Sequence, residues 1–158
     1  MKSVTRRHRM FIAAAGLLLG TGLVAHAAEP SPADEIVKYR QAVMKSQGAH
    51  MAAAAAIIQG KVAFKDQLAA HVNSLEATTL EINSIFPKDS DVGDTKALKE
   101  VWSKNEEFLK HAKDAQEKSA ALAKAVAAGD TKNYGARLKD LGEACKACHK
   151  DFRKKEEK

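Results

Sequence analysis

The sequence predicts an all-α protein, an antiparallel four-helix bundle. Three observations support this fold: the chain is rich in Ala, Lys, Glu and Leu, apolar residues recur every three or four positions in four long segments, and glycine or proline separates the segments. Amphipathic helices joined by short loops bury their apolar faces most simply against one another. Alternating spacings of three and four residues suit the shallow crossing angles of left-handed bundle packing.

The start of the chain has the pattern of an export signal. Four basic residues lead into an apolar run, and Ala25-His26-Ala27 places small residues where a signal peptidase cleaves. The apolar run is shorter than the ~20 residues that span a bilayer and glycines interrupt it, so an uncleaved membrane anchor is the weaker alternative. We therefore predict a signal peptide over residues 1–27, a mature domain over residues 28–158, and a periplasmic location.

The charge of the mature chain excludes some classes of function. The presequence carries four Lys/Arg and no acidic residue, so its removal lowers the formal net charge from +6 to +2. No basic groove with interleaved aromatic residues is evident, and a nucleic-acid partner is not expected. No acid/base pair or nucleophile constellation is evident either, so we do not predict an enzyme.

The first helix is expected to follow a proline-containing leader. Ser31 or Asp34 is a suitable cap for its start, and Gly60 is suited to end it. Its inward face is the run Ile36/Val37, Arg40, Met44, Gln47/Gly48, Met51, Ala55 and Ile58.

The second and third helices show the same periodicity. The face of the second is Leu68, Val72, Leu75, Thr79, Ile82 and Phe86. Pro87 and the segment KDSDVGD stop this helix and form the longest loop. The third helix is expected to start near Asp94 or Thr95 and to break at Gly129-Asp130.

The fourth helix carries the only two cysteines on its inward face. That face is Tyr134, Leu138, Leu141, Cys145, Cys148 and Phe152. Residues three and four apart share a helix face, so His149 points roughly the same way as the cysteines. A disulfide between Cys145 and Cys148 would distort the helix. Cys-x-x-Cys-His is the attachment signature of haem c: each thiol forms a thioether with a vinyl group, and the histidine ligates the iron.

Three other interpretations of the cysteines are weaker. A zinc site needs more ligands, and His50, His71 and His111 form no pair at metal-binding spacing in the sequence. A thioredoxin-like motif would follow a strand, and no strand precedes this one. Buried structural cysteines in a haem-free helical protein would need neither an adjacent histidine nor export. One covalent haem c near the C-terminus is therefore the predicted cofactor.

With these motifs the chain resembles the class II c-type cytochromes, which comprise cytochrome c′ and its low-spin c-556-type relatives. The resemblance covers nearly all of the mature chain and rests on IVKYRQAVMK, VWSKNEEF and GEACKACHKDFRKK. It implies that Cys145 and Cys148 are the thioether residues and His149 the proximal ligand. It also implies that Arg40 pairs with a haem propionate and that Arg153 lies near the exposed proximal face.

Met44 distinguishes two expected functions. The resemblance places it on the distal side of the haem, where a methionine ligand gives a six-coordinate, low-spin carrier of single electrons; this is the first expectation. If Met44 does not bind, the iron is five-coordinate and open to nitric oxide or carbon monoxide; Met44 then guards the pocket or only fills the core. Met51 shares its face but lies about 10.5 Å away along the helix, so both cannot bind one iron. His50 lies about 120° from this face and is expected at the surface.

Partner proteins are suggested by the C-terminal cations and by the resemblance. The cations, which are expected to steer an acidic redox partner toward the haem edge, are Lys146, Lys150, Arg153, Lys154 and Lys155. The alternative is a solvated helix end whose positive charges favour the helix dipole. The resemblance also implies an antiparallel homodimer through the first two helices.

Overall fold

Four long helices make up most of the part of the chain that the computed structural model describes, residues 31–155. They are α1 (Pro32–Ile58), α2 (Leu68–Leu80), α4 (Asn105–Ala127) and α5 (Tyr134–Phe152), with a single-turn helix α3 (Glu100–Ser103) before α4. Short 3₁₀ turns, Lys65–Gln67 and Glu81–Asn83, flank α2. The predicted all-α four-helix bundle is confirmed. The predicted signal peptide lies outside the described residues.

Helix α1 begins and ends as its sequence predicts. The Ser31 hydroxyl accepts a 3.2 Å hydrogen bond from the backbone N–H of Asp34, and the Asp34 carboxylate accepts a 3.0 Å bond from the backbone N–H of Ser31. This reciprocal pair is a capping box. The Ser31 hydroxyl also donates a 2.7 Å hydrogen bond to the Asp34 carboxylate, and this bond, together with the one from the Ser31 backbone N–H, lowers the pKa of Asp34. At the other end Gly60 has φ +68°, a left-handed conformation that glycine adopts without strain.

The segment between α2 and α4 contains the loop predicted from Pro87 to Asp94 but differs from the prediction at both ends. The last turn of α2 tightens into a 3₁₀ turn, so that Phe86 lies beyond the helix. The predicted start of the third helix near Asp94 or Thr95 is wrong, because α4 begins only at Asn105 after an irregular break at Lys104 (φ −117°, ψ 44°).

Residues 84–99 form a loop because their polar groups bond to neighbouring elements. The backbone N–H of Leu98 donates to the carbonyl of Phe152, and the backbone N–H of Lys154 donates to the carbonyl of Lys96. A loop whose backbone groups are satisfied by another element has no need of its own helical bonds. The loop is therefore fixed against the end of α5.

The buried apolar residues form two clusters along the bundle. The first joins all four long helices and comprises Ala54, Ile57, Leu68, Val72, Leu75, Leu122, Ala123, Leu138 and Leu141. The second comprises Ile82, Val101, Phe108, Ala112, Ala115, Ala144 and Phe152. Between them, the buried hydroxyls of Thr79 and Ser119 share a 2.7 Å hydrogen bond between α2 and α4. The first cluster packs one end of the bundle, and the second surrounds the candidate site.

His50 is only partly exposed, whereas its position on α1 predicts a surface residue. Its ring is half-buried and its Nδ1 lies 3.0 Å from Nδ1 of His71 on α2. One of these two nitrogens must donate and the other accept, so at least one ring has an unprotonated Nδ1. Two residues that are far apart in sequence thus form a pair across the α1–α2 interface.

No helix within residues 31–155 is both long enough and apolar enough to cross a membrane.

Candidate haem site

A cavity of about 290 Å³ lies between α1, α4, α5 and the loop 84–99. Its volume is near the lower end of the ~300–1,000 Å³ range of small-molecule sites. The apolar part of its wall is Met44, Ile82, Phe86, Ala97, Val101, Phe108, Ala112, Ala115 and Phe152. Most of these residues belong to the second apolar cluster, so that cluster encloses space rather than closing on itself.

Helix α5 presents Cys145, Cys148 and His149 to the cavity. Both cysteines are half-buried and neither forms a disulfide. Burial raises the pKa of the Cys145 thiol, and burial together with the negative charges of Cys145 and Asp151 raises the pKa of Cys148 to about 11. Burial, and then the positive charge of Arg153, lower the pKa of His149. The neutral imidazole that results is the form that binds a metal.

The register of α1 against α5 places Met44 at about the level of His149. A Cβ added to Gly142 on α5 would lie 3.7 Å from the Cε of Met51 on α1. The helices are antiparallel, so moving seven residues back on α1 and seven forward on α5 is the same displacement of about 10.5 Å. Those steps reach Met44 and His149, and both line the cavity.

Met51 does not share this position. It packs against the first apolar cluster and does not line the cavity. Met44 and Met51 lie seven residues apart on one helix face, so the sequence leaves open which of them could reach the iron. The packing distinguishes them. Met44 is the methionine that faces the candidate site.

Arg40 is a buried cation on the cavity wall. Its side chain is only 3% exposed, and its guanidinium donates to the hydroxyl and carbonyl of Ser90, the hydroxyl of Thr95 and the carbonyl of Ile85 at 2.8–3.2 Å. It also stacks on the ring of Phe86, at 4.6 Å from the centroid. Burial lowers the pKa of Arg40, and no carboxylate among residues 31–155 forms a salt bridge with it. The site therefore has an uncompensated positive charge suited to an anionic group.

Gln47 is a site residue whose importance the sequence does not reveal. Its side chain is buried and lines the cavity, and its Nε2 has no hydrogen-bond partner among the described residues. From the sequence alone, Gln47 is only one of several residues on the inward face of the first helix. The available signal is an amide on a helix face whose other members, apart from Arg40, are apolar or glycine.

The cavity rim carries several cations. Lys45 from α1, Lys96 from the loop, and Arg153 and Lys154 from the end of α5 all line it. Lys154 also donates a 2.8 Å bond from Nζ to the carbonyl of Thr95. The predicted position of Arg153 beside His149 agrees with this arrangement, and the remaining C-terminal lysines are exposed.

A zinc site at the cysteines finds no support in the geometry. Within residues 31–155, the group of three potential ligand residues that lie close enough to share an ion is Glu107, His111 and Asp151, which excludes both cysteines. His50 and His71 form their pair on α1 and α2, and neither lines the cavity.

The arrangement of two thiols, one imidazole and a C-terminal helix in a four-helix bundle agrees with the comparison to known families. The family model described as cytochrome c′ matches residues 35–153. The chain belongs to the cytochrome c′ family.

Individual members of the family are similar over most of the chain. Cytochrome c′ of Pararhodospirillum photometricum is 36% identical over 118 residues, which are 74% of this chain and 94% of that protein. Among solved structures, the nitric oxide complex of a mutant of cytochrome c prime from Alcaligenes xylosoxidans is 28% identical with a TM-score of 0.74, covering 81% of this chain and all of that one. A cytochrome c′ with ligand-controlled dimer dissociation is 28% identical with a TM-score of 0.72 and the same coverage.

As a cytochrome c′, the protein binds one covalently attached haem c with its iron. The described residues fit this group. An apolar enclosure suits the porphyrin face, the buried Arg40 guanidinium without a carboxylate suits a propionate, and Cys145, Cys148 and His149 lie on one helix face at the cavity wall. When bound, the haem supplies a single redox-active iron.

Proposed function

We propose that this cytochrome c′ binds a diatomic gas, nitric oxide or carbon monoxide, at a five-coordinate haem iron. The observation that carries the proposal is the apolar wall opposite His149. Met44 lies there, packed half-buried against the second apolar cluster. The similar solved structures include a nitric oxide complex of a cytochrome c′. The proposed role is that of a ligand-binding protein rather than an enzyme.

Each site residue has a role in this proposal. Cys145 and Cys148 would tether the haem to α5, and the neutral ring of His149 would bind the iron. Arg40 neutralises a propionate from its position on α1, where the hydrogen bonds to the loop keep its guanidinium in place. The apolar side chains around the distal space limit the access of water, which favours an uncharged ligand over a hydrated ion.

A second candidate function is one-electron transfer with Met44 as the sixth ligand. The observation in its favour is the position of the Met44 side chain opposite His149, because a thioether is a suitable axial ligand where it can reach. The cations at the rim would then guide an acidic redox partner to the haem edge. Membership of the cytochrome c′ family favours the gas-binding function over this one.

The optical spectrum of the haem-loaded protein tests the proposal. We expect a high-spin ferrous spectrum that changes when carbon monoxide is added. A low-spin spectrum that carbon monoxide leaves unchanged would overturn the proposal and favour the methionine-ligated carrier. A pyridine haemochrome assay on the same sample verifies that one haem is present per chain.

We propose that the mature protein is periplasmic and forms a homodimer through α1 and α2. The proposal of export rests on the signal pattern of residues 1–27. It predicts that the intact mass equals that of a polypeptide starting at Ala28 plus one haem.

The proposed dimer is supported by three exposed apolar side chains: Tyr39 on α1, Phe64 on the connection between the helices and Leu80 on α2. Sedimentation should show a dimer that Leu80→Glu weakens; a monomer at all concentrations would contradict it.

A further inference from the structure

We propose that the side-chain amide of Gln47 donates a hydrogen bond to a ligand held on the distal side of the haem iron. This inference rests on the proposed gas-binding function. It assigns to the distal wall a polar residue that determines how strongly a ligand is held.

The first observation is that the Gln47 amide is buried and unsatisfied. Its side chain is 8% exposed, and Nε2 has no hydrogen-bond partner among residues 31–155. A buried donor without an acceptor is costly, and such groups are rare in folded proteins. Gln47 lines the cavity, so its acceptor can be supplied by whatever occupies that space.

The second observation is the position of Gln47 along α1. Arg40, Met44 and Gln47 follow one another at intervals of four and three residues, so all three share the face that lines the cavity. Arg40 precedes Met44 by about 6 Å along the helix axis and Gln47 follows it by about 4.5 Å. In the register of Met51 against Gly142, four residues back and four forward place Gln47 level with Lys146, beside Cys145. Gln47 therefore lies on the thioether side of Met44, away from the Arg40 end where a propionate is expected.

The chemistry of the amide defines its partner. Nε2 is a donor, so it needs an acceptor atom. A carbon monoxide or nitric oxide molecule on ferrous iron takes electron density from the metal, and its outer atom becomes a better acceptor. Of the other side chains that line the cavity, Met44 offers only a weak thioether acceptor and Ala115 offers none. A bound diatomic ligand can therefore supply the acceptor that the Gln47 amide lacks.

The test compares carbon monoxide binding to the haem-loaded ferrous wild type and Gln47→Leu. Loss of one neutral hydrogen bond should raise the dissociation constant of carbon monoxide about three- to tenfold. The C–O stretching frequency of the adduct should rise, because the donor no longer draws electron density onto the ligand. The melting temperature of the ligand-free variant should be equal or higher, because an unsatisfied buried donor has been removed.

Gln116→Leu is the matched control. Gln116 is a half-buried glutamine on α4 that lies outside the cavity lining, and its Nε2 already donates to the carbonyl of Thr79 at 3.3 Å. Its replacement should leave both the dissociation constant and the C–O frequency unchanged.

The outcomes separate the two proposals. If the wild type binds carbon monoxide but Gln47→Leu has the same affinity and the same C–O frequency, the role of Gln47 is refuted and the proposed function stands. A large fall in the melting temperature of ligand-free Gln47→Leu would show that the amide has a partner without ligand, and would also refute it. If the wild type does not bind carbon monoxide at all, the proposed function fails and this inference fails with it.

Discussion

The Arg40 guanidinium donates a 2.8 Å hydrogen bond to the Thr95 hydroxyl and thereby ties α1 to the loop that forms one wall of the cavity. The same guanidinium donates to the hydroxyl and carbonyl of Ser90 and to the carbonyl of Ile85, so it holds the loop at three residues. A residue that is expected to bind a propionate therefore also organises the wall. This double role explains why a cation without a carboxylate partner is tolerated in the interior, because four of the five guanidinium N–H donors bond to neutral oxygens.

Arg40→Ala should destabilise the protein and loosen the loop. Removal of the guanidinium leaves the oxygens of Ser90 and Thr95 without a charged donor, so we expect the free energy of unfolding to fall by about 2–4 kcal/mol. Urea denaturation of the haem-loaded protein measures this change. Arg137→Ala is the control, because the exposed pair of Arg137 with Asp140 at 3.7 Å should contribute less than about 0.5 kcal/mol. Equal effects of the two substitutions would refute the role of Arg40 in the loop.

The double substitution Cys145→Ser/Cys148→Ser should abolish covalent haem attachment. A serine hydroxyl does not form the thioether, so acidified acetone should extract all haem and the intact mass should equal that of the polypeptide. Ala147→Ser introduces a hydroxyl at an exposed position within the same motif and should leave the haem covalently bound. Haem that resists extraction from the double variant would show that these cysteines are not the attachment points.

Met44→Ala should leave the iron five-coordinate and strengthen carbon monoxide binding. If Met44 only crowds the distal space, its removal relieves an overlap worth about 1–2 kcal/mol, which is roughly a fivefold to thirtyfold gain in affinity. Met51→Ala removes the same side chain from the first apolar cluster, and should lower the melting temperature without changing the affinity. Conversion of a low-spin spectrum to a high-spin one by Met44→Ala would instead identify Met44 as a ligand.

The sequence predicted α5 well because its apolar spacing and its haem motif fall on the same helix face. It failed for residues 95–104, where Leu98 and Val101 continue the helical spacing of the predicted third helix although the long helix α4 begins only at Asn105. The backbone N–H of Leu98 nevertheless bonds to Phe152, more than fifty residues away. Local periodicity cannot report a hydrogen bond that depends on the position of another element.

The candidate site was predictable where chemistry and spacing are joined in one motif. Cys145, Cys148 and His149 stand next to one another in the sequence, and the structure places them at the cavity wall. Gln47 could not be recognised, because its unsatisfied amide is a property of the packed bundle. The contact of His50 with His71 is likewise set by the packing of α1 against α2.

The haem-free protein should lose stability at alkaline pH because of Cys148. Its pKa is raised from 9.0 to about 11 in the folded chain, so between these values the folded state retains a proton that the unfolded state has lost. Stability therefore falls as the pH rises from 9.0 toward 11, and this contribution is fully present below pH 9.0. Urea denaturation at several pH values should show a steeper alkaline decline for wild type than for Cys148→Ser. Parallel curves for the two proteins would contradict the shift.

Two glycine substitutions should change stability in opposite directions. Gly48 lies within α1, and a Cβ added there meets no atom within 4 Å, so Gly48→Ala should stabilise the protein by about 0.5–1 kcal/mol through the lower entropy of the unfolded chain. Gly93 has φ +58°, and an added Cβ would lie 2.8 Å from Oδ1 of Asp34. Gly93→Ala should therefore cost about 1–2 kcal/mol, because an L-residue is strained there and the carboxylate that caps α1 must move. Urea denaturation of the two haem-loaded variants measures both changes. If the free energy of unfolding changed in the same direction in both, the assignment of Gly48 as replaceable and of Gly93 as required would be contradicted.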